Sequence, residues 1–283
     1  MSVGALAVRE TQPGEAYRPR HVLMCRPEYF AVSYAINPWM NTTVPVDRRL
    51  AVKQWETIAR TYERLGHTVE FVEPVLGLPD MVFAANSGLV VGGQVYLAKF
   101  RHPERAGEES AYADWFRGQG LTVHTPTETN EGEGDFAVVG DTVFAGWGFR
   151  TDVAAHDELR ARLHTKVVSL RLVDPRFYHL DTALSVLRDD NVAYFPGAFD
   201  ATSREVLAER FPHALIVDER DAEAFGCNAM SDGQHVIVSA QATGFIAQLR
   251  NSGYDAIGID TTELRKAGGS VKCCTLELRG EQP

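Results

Sequence analysis

Short runs of alternating apolar and polar residues recur along the chain, and each folds back at a tight-turn signal. They are LVVGGQVYLA around Gly92 and Gly93, AVVGDTVFAG around Gly140 and Asp141, ALSVLRDDNVAYF around Asp190 and Asn191, and AMSDGQHVIVS around Asp232 and Gly233. Alternation is the period of a strand, and Gly, Asn and Asp tolerate the positive φ of hairpin turns, so each run predicts a β-hairpin. A stretch with apolar residues three and four apart follows each one: Glu108–Arg117, Asp152–Leu163, Ser203–Phe211 and Ala242–Asn251. That is the period of a helix packed on one face. After a break comes a second β run, LTVHT, KVVSL, ALIVD and DAIGI in turn.

The turns lie roughly 40–50 residues apart, a spacing that points to a propeller or array. A fifth unit assembles across the chain ends. KCCTLEL is expected to be a strand that pairs with HVLMC, followed by the helix RRLAVKQWETIARTYERL and the strand HTVEFV. Five ββαβ units then close into an α/β ring. The hairpin–helix–strand order is not the simple alternation of an open doubly wound sheet. Residues 1–20 read as an N-terminal tail, and residues 21–283, without a visible linker, as a single catalytic domain.

Composition adds little beyond exclusions. With 45% hydrophobic and 23% charged residues in 283, the chain has ample material for one large core. A formal net charge of −10 argues against nucleic acid, whose phosphates need a basic face, and suits a cationic ligand. No apolar run is long enough for a membrane span. The N-terminus lacks the pattern of a signal peptide, so a cytoplasmic protein is expected. The four cysteines form no metal-binding spacing.

The chemistry-bearing residues sit at one phase of the repeat, where each hairpin begins. PDMVFAANSG carries Asp80, Phe83 and Asn86; NEGEGD carries Glu131, Glu133 and Asp135; FYHLDT carries His179 and Asp181; FGCNAM carries Cys227 and Asn228; SVKCCT carries Cys273 and Cys274. In a ring, these strand starts converge on one central pocket. If residues 273 and 274 lie in a strand, they face opposite sides, so only one thiol reaches the pocket. Each residue alone reads as core, as a satisfied hydrogen-bond pair or as an acidic turn; their shared phase favours a site.

The motifs MVFAANSG, EGEGD, YHLDT and GGSVKC together resemble the guanidine-modifying superfamily with the five-fold α/β-propeller (pentein) fold, over about residues 21–278. The resemblance implies that Cys273 is the nucleophile, that His179 is the general acid and base, and that Glu131 and Asp181 hold the guanidinium and position His179. It implies that Arg101 and Arg150 pair with the substrate's α-carboxylate and that Asp80 reaches its α-amino group, with Phe83 also in the binding set. It implies a small-molecule substrate, arginine or methylated arginine, and no metal or organic cofactor. A thiolate suits a resonance-stabilised guanidinium carbon because it is polarizable and strongly nucleophilic.

Two departures bear on the substrate. Asn86 stands where arginine deiminases and dimethylargininases carry an Asp, and its amide offers a donor to a ureido oxygen. Asn37, in AINPWMN, together with Asn86 resembles arginine dihydrolase, which takes arginine to ornithine, carbon dioxide and two ammonia molecules. His179-Leu180-Asp181 resembles the arginine-using members, whereas dimethylargininases usually lack a carboxylate at the position of Asp181, so the resemblance implies a guanidinium with free NH₂ groups. Dihydrolase is therefore expected first, dimethylargininase second and arginine deiminase third. Two non-enzymatic readings are a binding protein of the same fold, which would lack a Cys–His–carboxylate set, and an arginine sensor.

Overall fold

The computed structural model describes residues 17–280. They form five three-stranded sheets, each built alike. The central strand pairs antiparallel with its hairpin partner and parallel with the strand after the helix. Gln94–Leu97, for example, lies between Gly88–Val91 and Thr122–His124. Thr142–Trp147 lies between Phe136–Val139 and Lys166–Arg171. Asn191–Tyr194 and His235–Ser239 repeat the arrangement. The fifth sheet joins the chain ends: His21–Cys25 runs parallel to Thr68–Val72 and antiparallel to Leu276–Glu277. This is the expected α/β ring, closed as the repeat requires.

Helices pack outside the sheets. Arg48–Arg64 starts at Asp47, whose carboxylate accepts the Leu50 N–H at 3.0 Å and so satisfies a first-turn donor. Its buried positions, Ala51, Trp55, Ile58, Ala59 and Tyr62, follow helical spacing. Tyr62 ends that stripe with its hydroxyl 2.8 Å from Thr275 Oγ1, which fixes the helix against the segment carrying Cys273. The first strands of neighbouring hairpins meet near the centre: Phe136–Val139 touches Leu184–Arg188, which touches Met230–Ser231. The turns that lead into them therefore crowd one end of the axis.

Four details differ from the sequence reading. Lys272–Cys274 is a turn, and the strand begins only at Leu276. Side chains compete for the backbone there: Thr275 Oγ1 donates to the Val271 carbonyl, and Thr275 N–H to that of Lys272, both at 2.8 Å. Residues 17–20 belong to the folded body rather than to a tail, since Arg18 N–H donates to the Asp232 carbonyl and Arg20 to Ser231. The rest of the expected tail, residues 1–16, lies outside the described residues. The third hairpin turns at Asp189–Asp190, with Asn191 already in strand. A short helix, Glu219–Glu223, has too few residues to show a period.

Candidate active site

The Cys273 turn is held from two sides. Gly269 precedes it because a Cβ there would lie 2.3 Å from the Phe83 ring. Asn228 then clamps the cysteine: its Oδ1 accepts the Cys273 N–H at 3.1 Å, and its Nδ2 lies 3.0 Å from Sγ. The same Nδ2 donates to the Asp181 carbonyl at 3.0 Å. Cys273 Sγ is also 3.2 Å from Asp181 Oδ2. Among the described residues no cation is bonded to this pair, the nearby Lys272 being paired with Glu133 at 2.6 Å, and both groups are buried. Burial, then the nearby Asp181 charge, pushes the Cys273 thiol well up; burial pushes the Asp181 carboxyl up to about 7. The resting pair is thus poised to release protons when a positive charge arrives.

A second wall is balanced internally. His179 Nε2 lies 2.7 Å from Glu131 Oε2, and Arg150 donates to the same oxygen at 2.8 Å. Arg150 also donates to the Ile36 carbonyl at 2.9 Å and stacks 4.7 Å above Tyr178. Burial disfavours charge on Glu131, but Arg150, then the hydrogen bond and charge of His179, more than offset it and hold that carboxyl well below the usual range. Asp135 fixes the turn that presents His179, accepting the Leu180 N–H at 3.1 Å and the Thr151 hydroxyl at 2.7 Å. Burial raises its carboxyl to about 6.

A third wall hangs on Arg105. Its guanidinium makes a fork with Glu108 at 2.8 and 2.7 Å, donates to Asn86 Oδ1 at 2.8 Å, and reaches the Asp80 carbonyl at 3.1 Å. Tyr34 donates to Asp80 Oδ2 at 2.8 Å. Asp80 is buried, and burial raises its pKa. Gly134 makes room opposite: a Cβ there would lie 2.2 Å from Asn86 Nδ2 and 3.3 Å from the His179 ring.

Cys273, Asn37, Asp80, Phe83, Asn86 and Arg150 line one narrow cavity, with Arg105, Tyr178 and Gly268 among its further walls. His179, through the Tyr178 ring, and Glu131 and Asp181, through Arg150 and Cys273, contact that lining directly. Four buried polar atoms among these residues lack a protein partner: Asp80 Oδ1, Asn86 Nδ2, His179 Nδ1 and Asp181 Oδ1. Two carboxylate acceptors and one amide donor left over in a closed pocket suit a ligand rich in N–H groups. Asn37 carries its own loop, with Oδ1 accepting the Trp39 N–H at 2.9 Å and Nδ2 donating to the Ala267 carbonyl at 3.0 Å.

Arg101 is the expected residue that stands apart. Its side chain is 37% exposed, bonds the Arg150 carbonyl and Asp152, and lines a neighbouring surface groove. Arg105, four residues on, turns inward instead. Sequence reasoning missed Arg105, Tyr178 and Tyr34, and gave Asn228 no role beyond its place at the start of a hairpin. The signal for Arg105 was its spacing of three from Glu108, which reads equally as a surface pair. Cys25 and Cys227 are buried. Among the described residues, no three His, Cys, Asp or Glu side chains are grouped to hold a metal ion.

Known proteins resemble this chain over most of its length. The profile of eukaryotic N,N-dimethylarginine dimethylhydrolases matches residues 26–280. The N(G),N(G)-dimethylarginine dimethylaminohydrolase of Mycobacterium tuberculosis is 53% identical over 261 residues, covering 92% of this chain and 86% of the relative. The bifunctional arginine dihydrolase/ornithine cyclodeaminase ArgZ of Synechocystis is 40% identical over 264 residues, 91% of this chain but 37% of that longer protein. The crystal structure of the ArgZ N-terminal domain, a cyanobacterial arginine dihydrolase seen as a Cys-to-Ser variant bound to substrate, superposes with a TM-score of 0.88 at 39% identity, covering 92% of this chain and 98% of that one.

Proposed function

The chain belongs to the dimethylarginine dimethylaminohydrolase family of guanidino-group hydrolases, within the pentein superfamily, and from that premise we propose that it hydrolyses arginine through citrulline to ornithine. The observation that carries this reading is the Asn86 amide. Its oxygen is taken by Arg105, and its nitrogen is buried, unpartnered and beside His179. An NH₂ donor at this position suits a ureido oxygen, which a carboxylate would repel.

The arriving guanidinium supplies the cation that Asp181 and Cys273 lack, and the thiol ionises in response. Sγ attacks the guanidinium carbon. His179 protonates the departing nitrogen, ammonia leaves, and a thiouronium remains on sulfur. Water then gives a proton to His179 and adds to the same carbon; the C–S bond breaks, and citrulline forms. In a second round the ureido group is neutral, so the thiol gives its proton up to the departing nitrogen as Sγ adds to the ureido carbon; ammonia leaves, and water hydrolyses the resulting S-carbamoyl group. The N-carboxyornithine so formed loses carbon dioxide. The sum is arginine plus two waters to ornithine, carbon dioxide and two ammonia. Arg150 and Asp80 are the cavity groups suited to the α-carboxylate and α-amino ends. Arg101, from its exposed position, would reach a substrate only after its own bonds rearrange.

A second reading is dimethylarginine as substrate, released as citrulline and dimethylamine. Sequence identity favours it, since the relative of that name is 53% identical against 40% for ArgZ. Asp181, an unpartnered acceptor beside the sulfur, weighs against methylated nitrogens there.

Arginine, citrulline and asymmetric dimethylarginine are to be supplied separately and the products quantified. Ornithine with two equivalents of ammonia from arginine is expected. Dimethylamine from the methylated substrate, with no ornithine from arginine or citrulline, would overturn the proposal in favour of the second reading. Asn86→Asp is expected to lower ornithine output and let citrulline accumulate.

A further inference from the structure

Asn228 is fully buried beside Cys273, and the two ends of its amide meet different chemistry. Oδ1 accepts the Cys273 N–H at 3.1 Å. Nδ2 lies 3.0 Å from the Asp181 carbonyl and 3.0 Å from Cys273 Sγ. A backbone N–H can only donate and a carbonyl can only accept, so these two partners fix which end of the amide is which. The orientation that satisfies both also puts an N–H donor on the sulfur.

The turn that presents Asn228 is held under strain. Phe225, three residues earlier, has φ of 62°, a left-handed conformation that a bulky side chain adopts only at a cost. Its carbonyl accepts the Asn228 N–H at 3.1 Å, and its ring is packed against Trp39 and the Arg265 guanidinium. The Asn228 carbonyl in turn accepts the Lys272 N–H at 3.3 Å. Asn228 is thus tied by backbone and side chain to the segment that carries the sulfur.

Asn228 and Asp181 make opposite demands on Sγ. Asp181 Oδ2, 3.2 Å away, accepts from the thiol. Nδ2 donates to it. A neutral thiol is a weak acceptor, so this donor gains little at rest; on a thiolate the same contact is charge-assisted and much stronger. The contact therefore favours the ionised sulfur. The Ser270 N–H works in the same direction, and Asn228 also favours the ionised form of Asp181.

We infer that Asn228 is a further catalytic residue, whose Nδ2 stabilises the Cys273 thiolate while its Oδ1 fixes the backbone of the same cysteine. The inference rests on Cys273 as the nucleophile of the proposed reaction and holds for arginine and dimethylarginine alike.

The test is Asn228→Ala, assayed with saturating arginine or dimethylarginine, whichever turns over. The acid limb of the kcat profile, which reports groups in the substrate complex, is expected to move up by about one pH unit or more, a tenfold loss of thiolate. Alkylation of Cys273 by iodoacetamide, mapped to its peptide, is expected to slow by about tenfold or more at pH 8. Asn228→Asp keeps the oxygen that holds the Cys273 N–H but cannot donate from an ionised carboxylate. It should move the limb the same way, and it carries the test if the alanine variant does not fold.

A merely structural clamp would lower kcat evenly across pH, leave the limb in place and be restored by Asn228→Asp; that pattern overturns the inference. A substrate adduct on Cys273 of the wild type, with the limb unmoved in the folded variants, overturns Asn228 alone. Wild-type turnover with its adduct on another residue overturns the assignment of the nucleophile and Asn228 with it.

Discussion

The two sides of the pocket treat charge differently. On the His179 side, Glu131 lies between His179 and Arg150, and its carboxylate is stabilised within the protein. On the Cys273 side, Asp181 meets a thiol and an amide, and burial pushes both acids towards their neutral forms. One side is complete without a ligand; the other is completed by a cation. In the proposed reaction the contrast keeps the buried cysteine inert at rest and makes it a nucleophile when a cationic substrate binds. The charge to be recognised would then also be the charge that activates.

The contrast breaks most sharply at Glu131. Glu131→Gln removes the anion that Arg150 and His179 share. Activity should fall by about 10³-fold, in line with losing control of a general acid and base. Stability should fall too, by about 3–5 kcal/mol, because buried cations lose their counter-charge. Thermal melting and steady-state kinetics on the same preparation check both. A variant of unchanged melting temperature would mean that the balanced side is not held by this pair.

Asp181→Asn should separate the two effects. In the folded ligand-free protein the Asp181 carboxyl keeps its proton up to about pH 7, against 3.8 for its ordinary value. Between those values the folded chain binds more protons than the unfolded one. Its contribution to stability therefore falls as pH rises through that window and stays low above it. The variant should melt a few °C above wild type at pH 8, a gain of about 1–3 kcal/mol, and the gap should close near pH 4. Activity should fall nevertheless. Glu131 works in the opposite direction: its stabilisation is present above its unfolded pKa and is lost as pH falls below it. A variant that melts below wild type at pH 8 would place Asp181 among the stabilising carboxylates and erase the distinction.

Much of this was legible in the chain because it is local. Alternation punctuated by Gly93, Gly140 and Gly233 marks hairpins without reference to the rest of the molecule. The convergence of Asp80, Glu131, His179, Asn228 and Cys273 followed from their common phase in the repeat, which a ring converts into proximity. What stayed hidden depends on tertiary contacts. Cys273 reads as strand by composition, yet the Thr275 hydroxyl, bonded to the Val271 carbonyl, closes a turn around it. Arg101 and Arg105 look interchangeable in FRHPER, and only packing against Phe100 and Glu108 decides which one goes inside. On the proposed reading the choice between arginine and dimethylarginine is finer still, since it rests on how Asn86 and Asp181 are presented to the cavity.

The account stands most directly on a covalent bond between Cys273 and the guanidino carbon. Acid-quenching the enzyme during turnover of arginine and analysing the intact protein and its peptides by mass spectrometry tests it. An adduct equal to arginine less ammonia is expected on the peptide containing Cys273, absent from Cys273→Ser, which should retain less than about 10⁻³ of wild-type activity. Undiminished turnover by Cys273→Ser, or an adduct carried by another residue, would contradict the assignment of the nucleophile.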